Sequence, residues 1–264
     1  MVNMALPLSP PADRPTLADG LSSPVVDLRQ YTLFPGTRDR FVELFDTEFV
    51  EPQEAVGARV IGQFRDLGDP NRFVWMRGFS DMPARERALK AFYNEGPAWA
   101  AHAETARSML IDSSDALLLK PVRPDSGFAL DDAARRPPIE ADLPNGIVIA
   151  AIHHLERPVS AEFIHFYETA VLPAVRQAGA RPIGMFETKY SANNFPRLPI
   201  REGENVFVAF TGFASLAKHH EYLTALGRNK KAWKERLYPE LTSRLLMPPQ
   251  VLRLAPTTRS QLRG

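Results

Sequence analysis

An internal repeat constrains the fold of this chain more than any other feature of its sequence. Residues 57–64 read GARVIGQF, and residues 179–186, at an offset of 122, read GARPIGMF. Residues 73–79 (FVWMRGF) recur at an offset of 134 as residues 207–213 (FVAFTGF). Because both blocks occur in the same order in each half, the sequence predicts two copies of one module fused in tandem. The change of offset places a 12-residue insertion between the two blocks of the second copy.

Each copy shows the same succession of periodic segments. Apolar and β-branched stretches predict that the strands of the first copy are residues 25–33, 58–66, 72–79 and 116–121. Helical spacing of Phe41, Phe45 and Phe49 predicts a helix before the second strand, and residues 82–111 are predicted to be helical. The corresponding strands of the second copy are residues 147–155, 180–190, 205–213 and 250–255. The order βαββαβ is ferredoxin-like, so the predicted class is α+β, with two tandem ferredoxin-like βαββαβ domains.

The predicted sheets have one face covered by helices and one bare face. On alternate positions of one strand, Phe73, Trp75 and Phe79 would be exposed on the bare face. We therefore expect the two sheets to pack on each other in a dimeric α/β-barrel type arrangement, with a cavity or a packed core between them. The expected divisions are a flexible tail, a first domain, a linker, a second domain and a short tail, over residues 1–24, 25–121, 122–144, 145–256 and 257–264.

Composition excludes several functional classes. The 32 Lys and Arg residues nearly balance 31 Asp and Glu residues, so no basic nucleic-acid footprint is predicted. The chain has no cysteine, which excludes thiolate metal sites and fits a reducing cytoplasm. No apolar run has the length that spans a bilayer. The run of His219, His220 and Glu221 lacks metal-ligand spacing, and neither GxGxxG nor GxxxxGK[ST] occurs, so no metal and no cofactor is predicted.

Several segments resemble the NIPSNAP family. They are residues 31–36 (YTLFPG), 62–66 (GQFRD), 73–79 (FVWMRGF), 96–99 (GPAW) and 194–199 (NFPRLP). The resemblance implies membership of the dimeric α/β-barrel superfamily, which includes cofactor-free monooxygenases, isomerases, cyclases and haem-handling proteins. The family offers no catalytic motif that could be transferred residue by residue to this chain.

Arg77 is the first candidate for a functional side chain. In a regular strand it shares one face with Phe73 and Trp75, which we predict to be ligand-binding residues. A guanidinium among aromatic rings could bind a carboxylate or enolate, or stabilise an oxyanion. The alternative is that Arg77 stacks on Trp75 and is paired with a buried carboxylate.

Further candidates are Tyr31, His102 and His153. His102 follows Trp99 by three residues on a predicted helix and could act as a general base, or could be a half-exposed histidine paired at the surface. The repeat makes His153 the counterpart of Tyr31, and we expect both to face the barrel interior, where they could transfer protons together with Arg77. An ordinary packing role is the alternative for either residue.

Asn194 and Arg197 lie in the insertion and are predicted to bind a ligand. The insertion itself could be a lid, an interface arm or a plain surface loop. Two functions remain open. One is a cofactor-independent monooxygenase, isomerase or cyclase that acts in the barrel on a small organic molecule, aromatic or carbonyl-bearing. The other is a non-catalytic binding or assembly protein with a packed barrel. Neither nucleic acid nor membrane is an expected partner, and further self-association as a homo-oligomer stays open.

Overall fold

The computed structural model describes residues 23–130 and 136–264. The strands lie where the sequence predicts them, with one short addition, β4. Their bounds are β1 Val25–Leu33, β2 Arg59–Asp66, β3 Arg72–Phe79, β4 Leu110–Asp112, β5 Ala116–Pro121, β6 Ile147–Leu155, β7 Arg181–Thr188, β8 Asn205–Phe213 and β9 Gln250–Pro256.

Helices fill the intervals between the first and second and between the third and fourth strands of each half. The α-helices are α1 Arg38–Leu44, α2 Val50–Ala55, α3 Met82–Lys90, α4 Pro97–Ser108, α5 Ala161–Phe166, α6 Leu172–Gln177, α7 Leu216–Arg228 and α8 Tyr238–Thr242. Four of the helical stretches contain π-helical segments, at Phe45–Phe49, Ala91–Glu95, Tyr167–Val171 and Lys230–Leu237. The first and third of these segments are 122 residues apart, as the repeat requires.

The strands close into an eight-stranded antiparallel barrel. Its order is β3-β2-β9-β6-β8-β7-β5-β1, and β1 pairs again with β3 to complete the ring. The first half contributes β5-β1-β3-β2 and the second contributes β9-β6-β8-β7, so the two halves meet at the β2–β9 and β5–β7 pairs. The short strand β4 pairs with the outer end of β1. The chain is thus an α+β protein built around a closed barrel.

The register of the strands follows the repeat. Val25 pairs with Phe79 in the first half, and Ile147 pairs with Phe213 at the matching positions of the second. Each half also has a β-bulge just before the second glycine of GARxIGxF. The register shifts between Val60 and Gly62 in the first half and between Pro182 and Gly184 in the second. The first glycine of that motif has a positive φ in both copies, 95° at position 57 and 107° at position 179, a conformation that favours glycine.

The barrel interior is a packed apolar core rather than a cavity. Fully buried side chains from both halves fill it, among them Val26, Leu28, Phe64, Val74, Met76, Phe128, Phe186, Val208 and Phe210. The prediction that Phe73, Trp75 and Phe79 face this interior is wrong, because these rings pack instead against the helices of the first half. Apart from Arg77, both alternating sets of residues along β3 are apolar, so alternation could not show which set the helices cover.

Two segments that the sequence assigns to a linker and a tail help to fill the barrel. After β5, the backbone N–H of Val122 donates to the carbonyl oxygen of Met185, and Phe128 enters the core. After β9, the N–H of Thr257 donates to the carbonyl oxygen of Gln63, and Leu262 enters the core. Each segment therefore crosses to the bulged strand of the other half. Residues 1–22 of the expected flexible tail lie outside the described residues, and the domain boundaries stay a prediction.

No helix within residues 23–130 and 136–264 is both long and apolar enough to cross a membrane.

We predict that Phe186→Ala lowers the free energy of unfolding by about 3–5 kcal/mol. Phe186 is fully buried in the barrel, with ring centroids 4.7 Å from Phe128 and 5.6 Å from Phe210, so its loss leaves a cavity. Leu223→Ala on the exposed side of α7 is the control and should change stability by less than about 0.5 kcal/mol. Urea denaturation measures both, and equal losses would contradict a tightly packed barrel interior.

Candidate functional site

A cavity of about 150 Å³ lies between the sheet and the helices of the first half. Its aromatic lining comes from β1, β3 and the surrounding helices and consists of Tyr31, Phe41, Phe45, Phe49, Trp75, Phe92, Tyr93 and Trp99. Its polar lining is Gln53, Arg107, Ser113 and Arg197. The helix-side faces of β1 and β3 provide the floor because Tyr31 and Trp75 alternate with the residues that fill the barrel.

The aromatic rings pack mostly edge to face, an arrangement that fixes their positions. The ring of Trp75 lies 4.8 Å from that of Phe45 and 5.9 Å from that of Tyr31, both T-shaped. The ring of Tyr93 lies 4.8 Å from that of Trp99, also T-shaped. The cavity wall is therefore a rigid aromatic box with defined polar edges.

Four polar groups of this box are free to donate hydrogen bonds. The indole nitrogens of Trp75 and Trp99 are buried and have no hydrogen-bond partner within the described residues. Tyr31 is only 6% exposed, and its hydroxyl also makes no hydrogen bond in that part of the chain. The Tyr93 oxygen accepts a hydrogen bond from Arg77, so the hydroxyl hydrogen of Tyr93 remains available. Burial raises the pKa of Tyr93, which keeps this hydrogen in place at neutral pH.

Behind the cavity floor, Asp27 holds two arginines in a fully buried cluster. The two carboxylate oxygens of Asp27 accept from Arg77 Nε at 3.1 Å and from Arg85 Nε at 3.0 Å. Arg77 also donates from Nη1 to Gln53 Oε1 at 2.9 Å and to the Tyr93 hydroxyl at 3.2 Å. Burial alone would raise the pKa of Asp27, but Arg85, Arg77 and Arg29 outweigh it and hold this pKa below its usual value.

The insertion in the second half, the arm of residues 189–204, packs over the first half. Asn193 and Asn194 accept hydrogen bonds from Arg85 Nη1 at 3.2 and 2.7 Å. Phe195 is buried in the aromatic core of the first half, with its ring 5.9 Å from that of Tyr93. Arg197 donates to the backbone oxygen of Tyr93 at 3.1 Å and lines the cavity. The arm thus joins the two halves and forms one wall of the site.

The sequence model of the NIPSNAP family matches residues 26–124, the segment that supplies most of the cavity lining and the whole Asp27 cluster. Residues 26–124 form a NIPSNAP domain. This match ends before β6 begins, so the second half of the barrel lies outside it. Among curated proteins, none matches the sequence.

Solved structures resemble the chain over nearly its full length. A candidate monooxygenase from Lactobacillus acidophilus is 13% identical, with 89% of this chain and 94% of that chain aligned at a TM-score of 0.52. A candidate monooxygenase from Fusobacterium nucleatum is 12% identical, with 92% and 96% aligned at 0.52. A NIPSNAP-like domain protein from Burkholderia xenovorans is 25% identical over 43% of this chain and 90% of its own, at 0.34. At 12–13% identity, the first two likenesses show a shared fold alone.

The NIPSNAP domain contains most of the predicted site residues, but in a different place from the one expected. Arg77 faces the helices rather than the barrel interior and lies one layer behind the cavity, where it makes the buried ion pair that the sequence left as an alternative. Its guanidinium lies 4.8 Å from the Trp75 ring. Phe73 packs behind Tyr31 and Phe41 and does not line the cavity. Tyr31 and Trp75 line it directly. The roles of these residues in binding or catalysis stay predictions.

His102 lies away from the cavity. It is half-exposed on α4, and its Nε2 atom is 3.3 Å from Glu48 Oε2. It lines a shallow surface depression together with Thr47 and Thr105. The geometry matches a histidine paired at the surface, and His102 is not brought together with Arg77 or Tyr31.

His153 and Tyr31 occupy equivalent positions in opposite halves, so they do not form a pair. The expectation that both look into the barrel is wrong, because His153 packs against Tyr167 and Phe207 under the helices of the second half. Burial lowers the pKa of His153 to about 4, and its Nδ1 atom lies 3.3 Å from the Phe207 carbonyl oxygen. His153 is therefore a neutral core residue.

The two insertion residues take different roles. Arg197 lines the cavity, as a ligand-binding residue should. Asn194 instead joins Arg85 to the backbone oxygen of Met82, to which its Nδ2 donates at 2.6 Å. The sequence analysis missed Asp27, Gln53, Arg85 and Tyr93. Asp27 and Arg29 alternate with apolar residues in β1, and this charged pattern on a strand with two buried faces was the available signal.

The second half lacks the charges of the NIPSNAP domain at every matching position of the cluster. Offsets of 122 and 134 carry Asp27, Gln53, Trp75 and Arg77 onto Ile149, Val175, Ala209 and Thr211. These replacements are apolar or small, so the second half holds its helices by apolar packing. Within residues 23–130 and 136–264, the polar site is thus single.

We predict that Asp27→Asn lowers the free energy of unfolding by about 3–5 kcal/mol, because it leaves Arg77 and Arg85 buried without a counter-charge. Since the folded-state pKa of Asp27 is lowered, its contribution is complete above the unfolded pKa and is lost as the pH falls through the folded one. The difference in the free energy of unfolding between wild type and Asp27→Asn should therefore stay constant down to about pH 4 and decrease below it.

Asp39→Asn is the matched control for Asp27→Asn. Asp39 accepts from Arg65 at 2.7 Å, but its side chain is 80% exposed, so the change should cost less than about 1 kcal/mol. Denaturant titrations at several pH values measure both variants. Equal losses in the two variants would show that the buried cluster contributes no more than a surface ion pair.

We predict that His153→Phe removes part of the loss of stability on mild acidification. Because burial lowers the folded-state pKa of His153 to about 4, the neutral form stabilises the fold above about pH 6.5 and this contribution is lost as the pH falls toward 4. The wild type should lose roughly 2 kcal/mol more than the variant between pH 7 and pH 5. Asp46, whose pKa burial raises to about 6, titrates with the opposite sign in both proteins and cancels in the comparison. Parallel pH profiles would contradict a buried neutral His153.

Proposed function

We propose that the NIPSNAP domain binds a small aromatic or carbonyl-bearing molecule in the cavity between its sheet and its helices. The observation that carries this proposal is a box of aromatic rings in which the buried indole N–H groups of Trp75 and Trp99 have no acceptor within the described residues and the hydroxyl hydrogen of Tyr93 remains available. A cavity of about 150 Å³ accommodates a ring the size of benzene. Small-molecule sites are typically apolar clefts with a few placed polar groups, which is the arrangement seen here.

The polarity of the free groups specifies the kind of ligand atom. An indole N–H can only donate, and the Tyr93 oxygen is already engaged as an acceptor by Arg77. A ligand that satisfies these groups must present acceptor oxygens, as a ketone, a phenolate or an enolate does. Buried donors without partners cost free energy in the empty protein, so binding of such a ligand removes that cost.

The same donors support catalysis without a cofactor. When a bound ketone or phenol forms an enolate or a phenolate, negative charge develops on its oxygen, and fixed donors stabilise that charge. A monooxygenation consistent with this site converts the enolisable CH2 group, the one next to the ligand's carbonyl, to a second carbonyl, with one O2 consumed and one water released. The named monooxygenase relatives support this reaction class through their shared fold alone.

We also propose that the barrel is an internal dimer of two tandem ferredoxin-like domains. Support comes from the matching strand orders, the matching bulges at Gly62 and Gly184, and the equivalent pairing of β1 with β3 and of β6 with β8. The second domain then serves as the structural partner that the sheet of the first domain requires.

A non-catalytic binding protein is the second candidate, and the packed barrel interior favours it. Side chains such as Phe64, Phe186 and Phe210 leave the space between the sheets filled, so chemistry in the barrel itself is not supported. The two candidates differ in what happens in the helix-side cavity: an enzyme converts the molecule that binds there, and a binding protein only holds it.

Titration calorimetry with acetophenone and ethylbenzene tests the proposal. Both molecules carry one ring, but only the ketone has an acceptor oxygen, so we expect it to bind roughly fivefold tighter. Trp75→Phe and Tyr93→Phe should reduce this difference, because each removes a donor from the cavity. Trp233→Phe, at the position of the second half that matches Trp99, is the control and should leave it unchanged. If neither molecule binds the wild type, the proposed site is wrong.

A further inference from the structure

The charges around the cavity do not balance. Three arginines are fully buried in its floor or immediately behind it, Arg29, Arg77 and Arg85. Asp27 is the one carboxylate within ion-pair distance of this group in the described part of the chain, and it contacts Arg77 and Arg85. Three guanidiniums against one carboxylate leave an excess of two positive charges in the interior.

Arg29 is the one guanidinium of these three that makes no direct ion pair within the described residues. Its Nη2 atom donates to the backbone oxygens of Ser113 at 3.0 Å and of Pro199 at 3.2 Å. Its Nε and Nη1 atoms are buried and have no partner among the described residues. The guanidinium lies 5.7 Å from the ring of Tyr31, and both Tyr31 and Ser113 line the cavity. A buried cation with two unused donors therefore lies against the cavity wall.

Two more arginines line the cavity from its open side. Arg107 lies with its guanidinium 5.5 Å from the Trp99 ring, and Arg197 projects from the arm. Neither forms an ion pair with a carboxylate within residues 23–130 and 136–264. No Asp or Glu is part of the cavity lining. Positive charge thus surrounds an aromatic box on two sides, while the lining offers no compensating charge.

Uncompensated charge in a protein interior is costly, and native proteins balance it with an opposite charge. The Asp27 cluster achieves this balance only in part, so a negative charge from outside the chain would complete it. The aromatic lining favours an organic anion over an inorganic one, because a hydrated phosphate or sulfate gains nothing from eight rings. The second half offers a contrast: Arg29 and Arg107 are matched there by Ala151 and Leu241.

Resting on the proposed function, we propose that the ligand is a single-ring aromatic carboxylate whose carboxylate is bound by Arg107 and Arg197, with Arg29 contributing positive charge from the cavity floor. The planar fork of a guanidinium matches a carboxylate, and two forks at the mouth would hold it while the ring enters the aromatic box. The donors of Trp75 and Tyr93 then remain available for a second oxygen on the ring or its side chain.

The test is titration calorimetry of the full chain with benzoate and with benzamide, which share size and shape but differ in charge. We expect the wild type to bind benzoate at least about tenfold tighter at low salt, and this preference to shrink as salt is added. The double variant Arg107→Gln/Arg197→Gln should lose the preference while still binding benzamide. Both residues are exposed, so the fold should persist, which circular dichroism checks. Arg157→Gln removes an exposed charge in the second half and should leave the preference intact.

The outcomes separate this inference from the function on which it rests. If both probes bind the wild type equally, the anion assignment is wrong but the aromatic site stands. If benzoate keeps its full preference in the double variant, the carboxylate does not bind at Arg107 and Arg197, and the proposal is overturned. If acetophenone, benzoate and benzamide all fail to bind, the proposed function fails as well.

Discussion

Pairing at two sheet edges determines the rest of this structure. A four-stranded sheet has two open edges, and here β2 pairs with β9 while β5 pairs with β7, so both edges of both sheets are used. Once the ring is closed, one face of every strand must fill the interior and the other must meet the helices. Phe128 and Leu262, from the segments after β5 and β9, complete the filling of the interior. The aromatic cavity described above therefore lies outside the barrel, between the sheet and the helices of the first half.

On the helix side, the two halves use different interactions to hold their helices against the sheet. The first half holds Asp27, Arg77 and Arg85 in a buried cluster. This cluster stabilises the fold only when every partner is present. At the matching positions the second half has Ile149, Thr211 and His219, and it holds its helices by apolar contacts. A buried charged cluster in which some hydrogen-bond donors have no acceptor stabilises a fold less effectively than apolar packing does. Its presence in one half, beside the cavity, is consistent with a functional site there.

Much of the fold could be predicted from the sequence because repeat and periodicity report on it directly. The blocks GARxIGxF and the FVWMRGF strand placed the strands, and the change of offset located the arm. The side of the sheet on which Trp75 and Arg77 lie could not be predicted, since Val74 and Met76 are as apolar as their neighbours and both faces are buried. The hydrogen-bond partners of Arg77 could not be predicted from the sequence either. Asp27 is 50 residues away in sequence, and Gln53 and Tyr93 come from two separate helical stretches.

The arm shows how one chain with two similar halves can have one site where a symmetric dimer would have two. It begins at the end of β7 in the second half, yet its residues contact the first half: Asn194 binds Arg85, Phe195 packs on Tyr93, and Arg197 lines the cavity. Closure of the barrel sets the distance between the two halves, so the arm meets a fixed target. In a symmetric dimer each copy would need both the charged cluster and the arm. In this chain the NIPSNAP domain contains the cluster and the second half supplies the arm, so neither half needs both.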